Sequence, residues 1–180
     1  MVTNSKEGLL VNEHREKVIE MLKKAMAMEI QSAHQYMDQH FELDNQDFGE
    51  LAKNVKLIAI DEMRHAEALG ERIKELGGEP TSALAGSIVK GQEFKEIFPF
   101  DAKEEEEAIR AYTEFAKLCR EYGDTISANL FEEMIEHEQE HYNYFSNVDQ
   151  HIQNLGEAYL AQLAGTSADT GKPKGFVVKD

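Results

Sequence analysis

In 180 residues there are one cysteine, three prolines and no tryptophan. Cys119 has no partner for an intrachain disulfide, and a single thiol excludes an intrachain four-Cys iron or zinc site. Set among Phe115, Leu118 and Tyr122, it reads as a buried structural thiol. Prolines at 80, 99 and 173 leave long uninterrupted stretches for helix. Basic residues are also scarce: 19 Lys and Arg against 35 Asp and Glu give a formal charge of −16. Such a balance argues against nucleic-acid or anionic-membrane surfaces and makes cations the natural partners. No segment approaches the roughly 20 uncharged apolar residues of a membrane span. Met1 to Gly8 lacks the apolar run of a signal peptide, so a cytoplasmic protein is expected.

What the sequence does have is apolar residues at helical spacing, without sustained strand alternation. The pattern predicts an all-α domain. A first helix fits about Asn12 to Leu43, with Val18, Leu22, Ala25, Tyr36 and Leu43 on one stripe. A second fits about Asp47 to Leu76, ended by Gly77-Gly78-Glu79-Pro80. Periodicity lapses from Thr81 to Phe100, apart from a possible helical turn over Glu93 to Phe98, which suits a crossover along a bundle. Asp101 followed by Glu104 reads as a capping box opening a third helix to about Tyr122. After Gly123-Asp124 a fourth helix runs to about Gln153, and Leu155 to Leu163 makes a short fifth. The expected organisation is an N-terminal extension over 1–11, a bundle with its short fifth helix over 12–164, and a mobile or surface-bound polar tail over 165–180.

The informative residues interrupt these stripes, because ionised groups are seldom buried unless paired or bound to metal. Glu29 lies between Ala25 and Tyr36, Glu62 and His65 between Ile58 and Leu69, and Glu138 and His141 between Met134 and Phe145. Each Glu-x-x-His places a carboxylate and an imidazole on one side of a helix, where both can bind one ion. The third helix offers four successive acids, Glu104 to Glu107, and spacing selects among them. Glu29 and Glu62 are 33 residues apart, and the same interval before Glu138 lands on Glu105. The midpoints of both intervals fall in the turns predicted near Asn45 and Gly123. Two antiparallel hairpins therefore bring all six side chains to one level. Four Glu and two His suit two divalent ions such as Fe or Mn, whose charge four carboxylates balance.

A Glu from each of two helices with a Glu-x-x-His from each of the other two is the ligand pattern of ferritin-like di-iron or di-manganese bundles. The sequence resembles the bacterioferritins over roughly residues 15 to 165, through MEIQSAHQY at 28–36, AIDEMRHAE at 59–67 and EHEQEH at 136–141. The second string and the tail look closest to bacterioferritins of anaerobic sulfate-reducing bacteria. The resemblance implies a ferritin-like antiparallel four-helix bundle with a long crossover loop and a short C-terminal fifth helix. It implies one iron on Glu29, Glu62 and His65, a second on Glu105, Glu138 and His141, and bridging by Glu62 and Glu138. The implied activity is ferroxidation: Fe(II) is oxidised by dioxygen or hydrogen peroxide, and ferric mineral is stored in a 24-subunit homo-oligomeric shell built of dimers. A ferredoxin- or rubredoxin-type electron donor is an implied partner. Tyr36 matches a tyrosine the family keeps beside the site.

Met63 follows Glu62 but lies about 100° further round the helix, away from the metal face. Ala52, Ala59, Ala66 and Gly70 read as a stripe of small residues on that same outer surface, suited to a partner subunit. The resemblance makes Met63 a haem axial ligand, one from each subunit of a dimer. One departure concerns Asp61: where some relatives have a histidine one turn earlier, this chain has Leu57, so an inner-surface iron site there is in doubt. Two other readings compete, a rubrerythrin-like di-iron peroxidase and a metal-free helical adaptor. The first lacks its expected four-Cys module, and the second requires the buried-face charges to have no ligand.

Overall fold

In the computed structural model, which describes residues 3–171 and 175–176 and side chains from residue 10 onward, every long element is a helix. These are α1 (Thr3–Asn45), α2 (Gly49–Glu75), α3 (Phe94–Glu121), α4 (Thr125–Leu155) and the short α5 (Glu157–Leu163). Helix α1 packs along α2 and α3 along α4, and the two hairpins meet mainly through α1 with α3 and α2 with α4. The expected bundle, crossover and fifth helix are all present.

Helix α1 starts earlier than the predicted Asn12, since no proline interrupts the segment from Thr3. Leu10 and Val11 on this extension are exposed. Its other end passes through Asp47 at φ 66°, a left-handed conformation that Asp tolerates better than most residues. The Asp47 carbonyl accepts the Gly165 N–H at 2.9 Å, and Thr166 Oγ1 accepts the Glu50 N–H at 2.8 Å. The described tail is therefore bound to the surface. A Cβ on Gly49 would lie 2.0 Å from the Thr166 carbonyl oxygen, so that approach requires glycine.

The crossover runs beside α1 in the same direction. Ala85 N–H donates to the Ala27 carbonyl at 3.1 Å, Gln35 pairs with the Val89 backbone through both its amide atoms, and Gln39 reaches Gln92. Gln35 thus supplies the Val89 backbone with partners that a segment without regular structure lacks, and Gln39 ties the crossover through a side chain.

The start of α3 differs from the expectation. It begins at Phe94, with the Glu96 carboxylate accepting the Glu93 N–H at 3.1 Å, and it continues through Pro99. Proline removes one intrahelical bond, but Ile97 and Phe98 are fully buried in one core cluster and anchor the turn. Asp101 is consequently a buried residue inside the helix and not its cap; its Oδ1 accepts from Gln39 at 2.8 Å.

The core is divided. One apolar cluster joins Val18, Leu22, Leu69, Ile73, Phe131 and Met134 towards the α3–α4 turn. The other joins Leu43, Leu51, Val55, Phe98, Phe145 and Val148 towards the opposite end. Between them lies a layer of buried acids and histidines.

Candidate metal centre

The five stripe-breaking residues and Glu105 all enter this layer and are nearly or fully buried. Their ligand atoms form two overlapping groups, Glu29, Glu62, His65 and Glu138 in one and Glu62, Glu105, Glu138 and His141 in the other, with all atoms of a group within 4.8 Å of one another. The two shared residues divide their oxygens. Glu62 places Oε2 3.0 Å from His65 Nδ1 and Oε1 3.3 Å from His141 Nδ1. Glu138 places Oε1 3.2 Å from His65 Nδ1 and Oε2 2.9 Å from His141 Nδ1. Glu29 Oε2 stands 3.1 Å from His65, and Glu105 Oε1 4.0 Å from His141. Each imidazole thus presents Nδ1 to three carboxylates.

The two unshared carboxylates are each held by a tyrosine. Tyr36 donates its hydroxyl to Glu105 Oε1 at 2.5 Å, and Tyr112 donates to Glu29 Oε1. The first was expected beside the site. The second is not among the site residues expected from the sequence, although the signal is present there: Tyr36 follows Glu29, and Tyr112 follows Glu105, by the same seven residues.

The electrostatics are those of anions crowded into a dry space. Burial, reinforced by Glu138 and Glu62, pushes the Glu29 carboxyl well above its usual range, and burial with Glu62 and Glu138 does the same to Glu105. Burial opposes ionisation of Glu62 too, but His141 and His65 outweigh it and hold that carboxyl low. Burial likewise works against protonated His65 and His141, yet Glu138 for the first and Glu62 for the second raise both. Cys119 stays outside this chemistry: burial pushes its thiol up to about 12.

Two further histidine contacts lie behind the site. His65 Nε2 is 3.1 Å from His137 Nδ1, a residue the sequence reading passed over, and His141 Nε2 is 3.6 Å from Asp61 Oδ2. Above Asp61 the chain returns: the Phe176 N–H donates to the Leu57 carbonyl at 3.2 Å, and its ring lies edge-on to His141 at 6.3 Å. From the opposite side, a cavity of about 200 Å³ between α1 and α3 reaches Glu29, Glu105 and Tyr112, with Glu104, Glu107 and Ser32 on its walls.

Met63 lies apart from this layer, 51% exposed on the outer side of α2. With Met26, Ile30, Ile60, Ala66 and Pro80 it borders a shallow apolar hollow of about 560 Å³. The expected stripe of small residues does not lie on one outer surface. Ala52 and Ala59 belong to the subunit's own core, and only Ala66 and Gly70 border the Met63 hollow. Seven residues turn a helix of 3.6 residues per turn to within about 20° of whole turns, so Ala52 and Ala59 share one face and both face the core.

A family model described as a ferritin-like domain matches residues 19–155. A bacterioferritin from Desulfovibrio desulfuricans is 55% identical over 92% of this chain and 93% of its own, and one from Brucella melitensis is 31% identical over 85% and 95%. A crystal structure of the D. desulfuricans bacterioferritin, describing its di-iron site in different catalytic states, superposes with a TM-score of 0.89 at 54% identity over 90% of this chain and 95% of that one. A Mycobacterium tuberculosis bacterioferritin structure gives 0.79 at 34% identity, over 82% and 94%. With a bundle, a ligand layer and relatives that agree, the chain belongs to the bacterioferritin family.

Proposed function

We propose that this protein is an iron-storing ferroxidase, in which Glu29, Glu62, His65, Glu105, Glu138 and His141 bind two Fe(II) substrate ions for oxidation by dioxygen or hydrogen peroxide. The observation that carries the reading is the split of Glu62 and Glu138, each turning one oxygen to either histidine. A carboxylate so placed serves two ions at once. Glu29 and Glu105 then complete one ion each, and their tyrosine donors keep each carboxylate from rotating out of the layer. Four carboxylates balance two divalent charges, which is the state a dry layer favours. The acidic cavity between α1 and α3 offers a cation and a small oxidant a way in. Binding displaces protons from the two raised carboxyls and from both imidazoles, so the residues that hold iron also release protons as it enters.

The reading extends to a cytoplasmic 24-subunit shell that stores ferric mineral, receives electrons from a ferredoxin- or rubredoxin-type donor, and holds haem between paired subunits. The outer face of α2 fits one half of such a haem site: an exposed thioether sits in an apolar hollow whose floor at Gly70 has no side chain. The Met63 thioether would hold haem there, and the bound haem would supply one-electron redox chemistry.

Anaerobic Fe(II) titration followed by oxygen or peroxide tests the proposal. Two Fe(II) per chain, fast oxidation and a growing ferric core in a particle of about half a megadalton are expected, with both oxidation and tight binding lost in Glu62→Gln/His65→Ala. Peroxide turnover without ferric core would replace the reading with a peroxidase. Unaltered behaviour of the double variant would replace it with a metal-free adaptor. Met63→Leu should remove haem absorbance and leave iron oxidation intact.

A further inference from the structure

One ligand histidine is held from behind by a residue outside the six-ligand set. His65 turns Nδ1 to Glu29, Glu62 and Glu138, and its other nitrogen, Nε2, meets His137 Nδ1 at 3.1 Å. The two ring planes differ by 6° and their centres are 5.3 Å apart. That separation is what a 3.1 Å N···N contact leaves when both nitrogens lie on the line between the ring centres. The rings are therefore edge to edge in a common plane, the arrangement in which an N–H points straight along a lone pair. Face-to-face stacking at that N···N distance would bring the ring centres much closer together. His141 is backed differently, by Asp61 Oδ2 at 3.6 Å and by the ring of Phe176.

An imidazole that binds a metal ion through Nδ1 carries its one proton on Nε2. In His65 that proton points at His137, whose Nδ1 must then be the acceptor. His137 sits beside Glu138 on α4, whereas His65 belongs to α2. One turn of α4 thus supplies both the shared carboxylate and the outer acceptor of the facing helix's histidine. Resting on the di-metal reading above, we infer that His137 is a positioning residue: it fixes the tautomer and the ring plane of His65 for the ion shared by Glu29, Glu62, His65 and Glu138. It touches neither the ion nor the oxidant, and acts through His65. Metal-binding histidines as a class depend on such a partner, whose loss weakens metal binding by about 10- to 100-fold.

The test uses the metal-stripped full-length protein and Co(II), whose visible ligand-field bands report coordination without any turnover. His137→Phe keeps a flat ring in the same place and removes the acceptor. His137→Asn keeps an amide oxygen near the position of Nδ1. The expected result is two Co(II) per wild-type chain, one of them weakened about 10- to 100-fold with altered bands in His137→Phe, and return to within a few-fold of wild type in His137→Asn. Two sites of undiminished affinity in His137→Phe would overturn the inference alone. So would equal weakening in both variants, because packing and not an acceptor would then be what His137 provides. Fewer than two Co(II) in the wild type would remove the di-metal reading and this inference together.

Discussion

Tyr36 and Tyr112 occupy equivalent places, each seven residues beyond a buried glutamate and each donating to the glutamate of the other's helix. That reciprocity ties α1 to α3, a pair that otherwise meets lightly. Removing either hydroxyl leaves a buried carboxyl oxygen short of a donor, at a cost of about 1–2 kcal/mol. Tyr36→Phe and Tyr112→Phe should therefore each lower the stability of the metal-free protein by that amount in urea unfolding. They should add within roughly 0.5 kcal/mol in the double variant, because they serve different carboxylates. Coupling well beyond that figure would mean the two glutamates act as one network. At this scale the clustered acids and histidines could be read from the sequence, because a charged group on an apolar stripe contradicts its surroundings. Tyr112 was hidden for the opposite reason: an aromatic on a core stripe agrees with its surroundings, and only the repeated interval marks it. His137 left still less trace, since its partner lies on another helix.

Among the elements, the two hairpin turns and the tail show what local pattern conveys. The α3–α4 turn was legible from Gly123, which adopts φ 79°, and from Asp124, whose Oδ1 caps α4 by accepting the Ser127 N–H at 3.0 Å. The same carboxylate pairs with Arg72 of α2 at 2.9 Å in a half-buried setting that holds it below the usual range, burial being outweighed by Ser127 and Arg72. Asp124→Ala removes cap and ion pair together and should cost about 2–3 kcal/mol, with Asp124→Asn recovering the part due to the cap. Equal losses in both would show that the cap contributes nothing. The opening of α3 differs from expectation because Asp101 has the chemistry of a cap, whereas the Glu93–Glu96 capping box and the burial of Ile97 and Phe98 start the helix ahead of Pro99. The sequence leaves the tail either mobile or surface-bound, and it carries no local pattern that names the contacts fixing the tail to α2. A Cβ on Gly175 would lie 1.4 Å from Asp61 Oδ1, so Gly175→Ala should lift this part of the tail from α2. Faster cleavage of the tail by limiting protease, with the bundle intact, would report it; unchanged cleavage would mean the tail is held elsewhere.

For the whole molecule, the layer that divides the core sets how stability and metal binding depend on pH. Glu29 and Glu105 titrate above their ordinary 4.5 in the folded, metal-free chain, and His65 and His141 above their ordinary 6.5. Over that range the folded state holds more protons than the unfolded one, so stability falls as pH rises. The carboxyl contribution begins to fade above 4.5. The histidine contribution is complete below 6.5 and is lost as pH climbs through the raised folded values. Glu62 acts in the other sense, but its depressed value confines its effect to pH below 4.5. Metal-free protein should therefore lose Tm steadily between about pH 5 and 8, the reverse of the acid destabilisation expected of a chain with 35 acids. Divalent metal needs the same groups deprotonated, so its affinity and the Tm gain it brings should both increase over that interval. Calorimetric titration with Co(II) in buffers of different ionisation enthalpy measures the protons released per ion. Release that diminishes as pH rises would match this layer, whereas no release at any pH would mean that the Glu29 and Glu105 carboxyls are already ionised, and both imidazoles neutral, in the empty bundle.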